Sequence, residues 1–431
     1  METSALPFRR FKIENESRFL DIFWIGFIIY TSAFAISTTG QVNYIACNIF
    51  QIFGLILLIS SAALLVNFHI DDLYLRILIT LYLLWTLGII VRGFVIDYEI
   101  IKLLLFNAYE SLFLYLTPMV IFFPKTLDHI KKLFVVILAL GIIYLLYDII
   151  FIRQLLVNYD IKNSQAIIEY FSKTLSIPCG FIILTYIYHT RRMNLLALFV
   201  IVLTFVFAII RARRGLAFLA IFPLIGSYFV YLVYSKNGFL KIVFFLVLAM
   251  TITLGIAHSR SLLNYFGQNS STSWFIDRIT QDTRSEVEEY FYQDMKTEDW
   301  IIGKGINGQY YCPGVDLGDG RISIYRRGIE TDYLTIILKG GLVSLGLFLL
   351  IAVPALLKGF FRSNNLLAKA SAVWIVLYLA ALYPAPVTTF TLNYILVWFA
   401  IGLCYSQKVR NLSDSELIEF FSKKKADNIP V

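Results

Sequence analysis

The stretch that decides the fold is residues 194–234: NLLALFVIVLTFVFAII (194–210), the basic break RARR (211–214) and GLAFLAIFPLIGSYFVYLVY (215–234). Neither apolar run contains a charged side chain, and each approaches the ~20 residues that a helix needs to cross a hydrocarbon core. A backbone in lipid must satisfy its own hydrogen bonds, so such runs read as helices. Working outward, the pattern recurs at 20–39, 45–66, 73–91, 103–123, 133–152, 174–190, 239–257, 332–357, 368–387 and 390–406. Composition agrees: 58% of the 431 residues are hydrophobic and 15% charged, with a mean hydropathy of +0.73. A soluble domain carries about 25% charged residues. The expected fold is all-α, a polytopic transmembrane helix bundle of about twelve spans in a single membrane-embedded domain.

The net charge of +8 is a topology signal and not a nucleic-acid footprint, because the cations fall in short clusters between apolar runs. Arg9, Arg10, Lys12 and Arg18 precede the first span. Alternate connections carry Lys125, Lys131 and Lys132; Arg191 and Arg192; Lys236 and Lys241; Lys358, Arg362 and Lys369; and the tail, 407–431, ends with Lys423, Lys424 and Lys425. Positive charge is retained on the cytoplasmic side, so both termini are expected there. The N-terminal apolar run is too long for a signal-peptide core and no small-residue cleavage site follows it. Four scattered cysteines offer no disulfide framework, and four scattered histidines show no metal-ligand spacing, so neither metal nor cofactor is expected.

This register puts residues 258–329 outside as one large loop. Within it Thr283 and Glu286 form a capping box. Val287, Tyr290, Phe291 and Met295 recur at helical spacing, which predicts a short amphipathic helix from Arg284 to about Asp299. Gly303, Gly305 and Gly308 then predict a tight turn. It follows a helix and not a strand, so it is no dinucleotide fingerprint.

Several residues stand out chemically. Arg211, Arg213 and Arg214 sit on the side that otherwise avoids basic residues, and guanidinium forks match phosphate oxygens two at a time. Contact with lipid headgroups is the plainer alternative. Arg284 heads a helix, where the dipole disfavours a cation. Glu330 and Asp332 stand where the loop re-enters the membrane; a carboxylate there serves either as a general base or as an ion-pair partner of Arg326 or Arg327. Glu110 lies inside the expected fourth span, one turn after Asn107, and an intramembrane acid points to function. Lys339, one to two turns into the tenth expected span, could neutralise that acid or an anionic ligand.

Three local patterns, in this order, resemble the bacterial O-antigen polymerases and O-antigen ligases, which are membrane-embedded glycosyltransferases. The first is Arg214-Gly215-Leu216-Ala217 opening a span. The second is Arg284 heading a loop helix that leads to Gly303-Lys304-Gly305. The third is Glu330-Thr331-Asp332-Tyr333-Leu334 with Gly341 eleven positions after Glu330. Ligases carry a histidine where Glu330 stands, which tilts the resemblance toward a polymerase of lipid-linked oligosaccharide repeat units. It implies a metal-independent transfer from a polyprenyl-pyrophosphate-linked glycan to a sugar hydroxyl at the outer face of the cytoplasmic membrane. Arg211, Arg213, Arg214 and Arg284 would hold the pyrophosphate and Glu330 would activate the acceptor. The flippase and the chain-length regulator of the same pathway are the implied protein partners. A ligase that passes finished glycan to a lipid or protein acceptor is the nearest alternative. A twelve-span transporter is the next, although no paired repeats with matching broken spans are visible.

Overall fold

The computed structural model describes residues 7–157, 162–210, 213–234, 284–316 and 322–422. The expected ninth span (239–257), the first part of the loop (258–283, with Arg278 and Thr283), Arg211, Arg321 and the terminal lysines lie outside the described residues. The chain order is α1 Pro7–Ser37, α2 Tyr44–Leu65, α3 Leu73–Gly93, α4 Tyr98–Phe106, α5 Leu127–Val157, α6 Lys162–Leu175, α7 Cys179–Leu184, α8 Arg191–Ile210 and α9 Arg214–Tyr234. Then come α10 Ser285–Asp294, α11 Thr297–Ile302, strands β1 Tyr310–Asp316 and β2 Ile322–Arg326, α12 Asp332–Phe361, α13 Leu366–Ala381, α14 Leu392–Tyr405, α15 Gln407–Asn411 and α16 Asp414–Ser422. Among the described residues, seven helices are long and apolar enough to cross a membrane: the Asn15–Ser37 part of α1, α2, α3, most of α5, α8, α9 and α12. Their outward faces expose apolar side chains, among them Ile45, Phe53, Leu84 and Val91, as lipid contact requires. α13 and α14 are shorter, and α14 is buried along almost its whole length, so it is a central helix.

Two expected spans are not single helices. Residues 103–123 end α4 at Phe106, turn at Asn107 and continue as two 3₁₀ segments, Leu112–Leu114 and Thr117–Phe122. Residues 174–190 break into the end of α6, α7 and a 3₁₀ turn at Tyr186–Tyr188. Asx and Ser turns compete with the helix in the first case: Asn107 Oδ1 accepts from Tyr109 N and Ser111 Oγ from Phe113 N. Irregular backbone at membrane depth survives where protein covers it. Phe113, Ile121 and Phe123 are buried, with Phe113 against Phe390 and Phe123 against Phe23.

Among the described residues the basic connections gather at one end of the bundle; Lys236 and Lys241 lie outside the described residues. Lys132 pairs with Asp21 at 2.8 Å, Lys358 with Asp72 at 2.5 Å, and Tyr188 Oη donates to Asp414 at 2.5 Å. The opposite end carries the start of α9, the loop from Arg284 onward and the 382–391 connection.

The described part of the loop is not purely helical: β1 and β2 pair antiparallel, from Tyr310 opposite Arg326 to Asp316 opposite Ile322. The described chain is mostly helical, as expected; the hairpin adds a strand pair to a loop expected to hold only short helices. β-branched and aromatic residues at 310–315 and 322–325 favour a pleated surface. The amphipathic helix starts at Ser285 and stops at Asp294, short of the expected Asp299. Asp299 Oδ2 accepts from Lys296 N and opens α11 instead. Phe291 and Met295 are buried with Val287 and Tyr290 beside them, packed on Tyr310, Ile329, Leu334 and Leu338, so the loop seats on the first turns of α12.

Candidate functional site

The end opposite the basic connections holds a cavity of about 940 Å³. That is near the top of the ~300–1,000 Å³ range of small-molecule sites, roomier than a lone pyrophosphate needs. Arg213, Arg214, Arg284, Glu330, Asp332, Glu110 and Lys339 all line it. Residues more than 220 positions apart in sequence therefore share one chamber.

Arg213 and Arg214 occupy the junction of α8 and α9. α8 ends at Ile210 and α9 begins at Arg214. Arg213 Nη1 lies 3.2 Å from Glu169 Oε2 on α6, and Lys173 Nζ lies 2.6 Å from the other oxygen. Burial raises the Glu169 carboxyl, but Lys173 and Arg213 outweigh it and hold the group below the ordinary glutamate range. Arg213 thus shares the single Glu169 charge with Lys173, and Arg214 is exposed on the cavity wall. Gly215 lets that wall close: a Cβ there would meet Pro384 O at 2.9 Å and Ala385 Cβ at 3.2 Å.

Pro384 also anchors Arg284. The Arg284 guanidinium donates Nη2 to Pro384 O at 2.8 Å, Nη1 to Tyr383 O at 3.4 Å and Nε to Glu330 Oε2 at 3.1 Å. Glu330 therefore pairs with Arg284, not with Arg326 or Arg327. Arg327 Nη1 instead donates to Glu110 Oε2 at 3.4 Å. Glu110 itself sits in the turn after α4, not within a spanning helix as expected. Lys339 is buried and donates Nζ to Gly308 O at 2.8 Å.

Asp332 has a different task from its neighbour two residues away. It is 2% exposed, and its Oδ2 accepts from Val387 N at 2.9 Å and Thr388 N at 2.6 Å. Its own N–H donates to Leu382 O at 2.8 Å. It clamps the 382–388 connection, and with it the carbonyls that hold Arg284.

The glycine turn after α11 supports this floor. α12 unwinds at Gly341 (φ 70°, ψ −178°), which leaves carbonyls of the preceding turn free. Lys304 N donates to Leu338 O at 2.7 Å and Gly305 N to Lys339 O at 3.0 Å, while Ile306 N caps α3 through Ile89 O at 3.0 Å. The loop backbone thus replaces the missing helical bonds and ties α3 to α12.

Glu169, Tyr170 and Tyr109 line the same chamber without being singled out by the sequence: hydropathy starts the sixth span at 174 and leaves 162–173 as a connection, and it reads Tyr109 as one more residue of the apolar run 103–123. The Glu169–Lys173 spacing of four was the available signal. Among the described residues no group of three or more His, Cys, Asp or Glu side chains is gathered as a metal site. No protein-family model, curated protein or solved structure matches the chain.

Proposed function

We propose that this chain is a glycosyltransferase that takes its donor from a polyprenyl pyrophosphate carrier and polymerises lipid-linked oligosaccharide repeat units at the outer face of the cytoplasmic membrane. One observation carries the reading: Arg284 is hydrogen-bonded to Glu330 in a cavity also lined by the exposed Arg214. In the proposed step the acceptor hydroxyl gives its proton to Glu330. The oxygen bonds to the anomeric carbon, and the bond from that carbon to the pyrophosphate oxygen breaks with its electron pair. Arg214 and Arg284 take up the charge on the departing pyrophosphate. As that charge draws Arg284, its hold on Glu330 loosens and the carboxylate turns to the acceptor. The same arrangement would serve a ligase, and the acceptor class separates the two.

The test is polymer length in cells carrying Glu330→Gln, Arg214→Ala, Arg284→Ala or Arg284→Lys, normalised to protein in the membrane. Glu330→Gln should lose activity by about 10²–10⁴-fold, the scale of a lost general base. Each alanine variant should lose about 10²–10³-fold, and Arg284→Lys should recover part, since lysine lacks the planar fork. Glu298→Gln, exposed and outside the cavity, is the control. Single repeat units accumulating on the carrier indicate a polymerase; finished chains left on the carrier indicate a ligase. Normal chains in Glu330→Gln and in both alanine variants would sink the reading.

A further inference from the structure

The cavity is also lined by a pair of tyrosines that the proposed chemistry does not use. Tyr109, from the turn that replaces a helical span, and Tyr170, on α6, meet edge to face with ring centroids 4.7 Å apart and planes at 67°. Both line the cavity, and Tyr170 remains 37% exposed. Burial raises the Tyr170 hydroxyl, and the Glu169 charge raises it further; Arg213, Glu330 and Arg326 also act on it. The ring therefore lies among the groups assigned to the donor and to the base. The turn bearing Tyr109 is itself fixed, since Phe390 N donates to Ala108 O at 2.8 Å. Asn107 and Glu110 flank Tyr109 on the wall and offer an amide and a carboxylate.

We infer that Tyr109 and Tyr170 form the sugar subsite of the cavity, an aromatic corner that receives the pyranose attached to the pyrophosphate. The chemistry is complementary. A pyranose shows axial C–H bonds on one face, which suit the negative face of an aromatic ring. Its rim of hydroxyls needs hydrogen-bonding groups at the edge, which Asn107, Glu110 and Glu169 supply. An aromatic pair that served only to pack helices would be buried, and Tyr170 is not. The inference rests on the proposed function, because it takes the pyrophosphate site as given.

The experiment uses the full chain in detergent and two kinds of probe. Farnesyl pyrophosphate reports the anion site alone; farnesyl pyrophosphate carrying glucose, galactose or N-acetylglucosamine reports the anion site plus a sugar. At least one sugar-bearing lipid should bind about tenfold more tightly than the bare lipid, the scale of one well-placed aromatic contact. Tyr170→Leu should remove that gain and leave bare-lipid binding unchanged, and Tyr170→Phe should keep it; Tyr109→Leu and Tyr109→Phe should behave alike. If the bare lipid binds but no sugar adds affinity, or if the gain survives both leucine variants, the sugar subsite is wrong and the pyrophosphate site stands. If the bare lipid fails to bind, the proposed function falls and takes the subsite with it.

Discussion

At the scale of single residues, Glu330 and Asp332 show how two carboxylates in one sequence motif are divided between chemistry and structure. Glu330 is about half exposed, with its side chain 47% accessible beside Arg284. Asp332 is sealed against two backbone N–H groups. Sequence spacing separates their directions but does not reveal that one is buried. The two therefore fail differently when changed. Asp332→Ala leaves two buried donors without an acceptor, at about 1–3 kcal/mol for each. Its thermal midpoint in detergent should fall clearly, with less protein in the membrane, while Asp332→Asn, which keeps one oxygen, should fall less. Glu330→Gln should melt as the unaltered protein does. Equal midpoints for Asp332→Ala and the unaltered protein would show that the clamp contributes nothing.

At the scale of elements, the break in α12 and the turn after α11 act as one joint. Gly341 lies in a backbone region that is essentially reserved for glycine, where other residues store about 1–3 kcal/mol of strain. A Cβ at Gly341 would also stand 2.0 Å from Ile301 O, and no rotamer moves a backbone carbonyl. Gly341→Ala should therefore unseat the loop: the bonds from Lys304 N and Gly305 N to α12 would be lost, and the floor under Lys339 with them. Hydrogen exchange at 303–308 should rise sharply while α1 and α2 stay protected. Unchanged exchange in that turn would show that the joint tolerates the side chain. The spacing from Glu330 to Gly341 is legible in the sequence, whereas its cause, an unwound helix repaired by a distant loop, is not.

At the scale of the molecule, the two ends of the bundle differ in kind. Among the described residues, Lys132 and Lys358 of the alternate connections meet acidic partners at one end, and Arg213 and Arg214, which break the alternation, line the cavity at the other. We propose that the cavity end is extracytoplasmic. The native cysteines Cys47, Cys179, Cys312 and Cys404 are all buried, so a single introduced cysteine gives a clean reading. In intact cells a membrane-impermeant thiol reagent should label Glu298→Cys, and should label Lys408→Cys only after the membrane is opened. The reverse pattern would overturn the orientation and the outer-face chemistry built on it.

The sequence by itself determined the helical, lipid-facing character of the chain, because an apolar run exposed to lipid satisfies its backbone as a helix. It also singled out Arg214, Arg284 and Glu330, since charges that break a strong local pattern are visible without a structure. What it could not carry was pairing across distance. That Arg284 meets Glu330, that Glu169 pairs with Arg213 and that Asp332 holds a connection 55 residues away are decided by helix packing, which has no local signature. The same holds for segments 103–123 and 174–190. Hydropathy measures whether a stretch is apolar, and a stretch shielded by neighbouring helices can be apolar without being a helix, so only the tertiary structure settles its backbone.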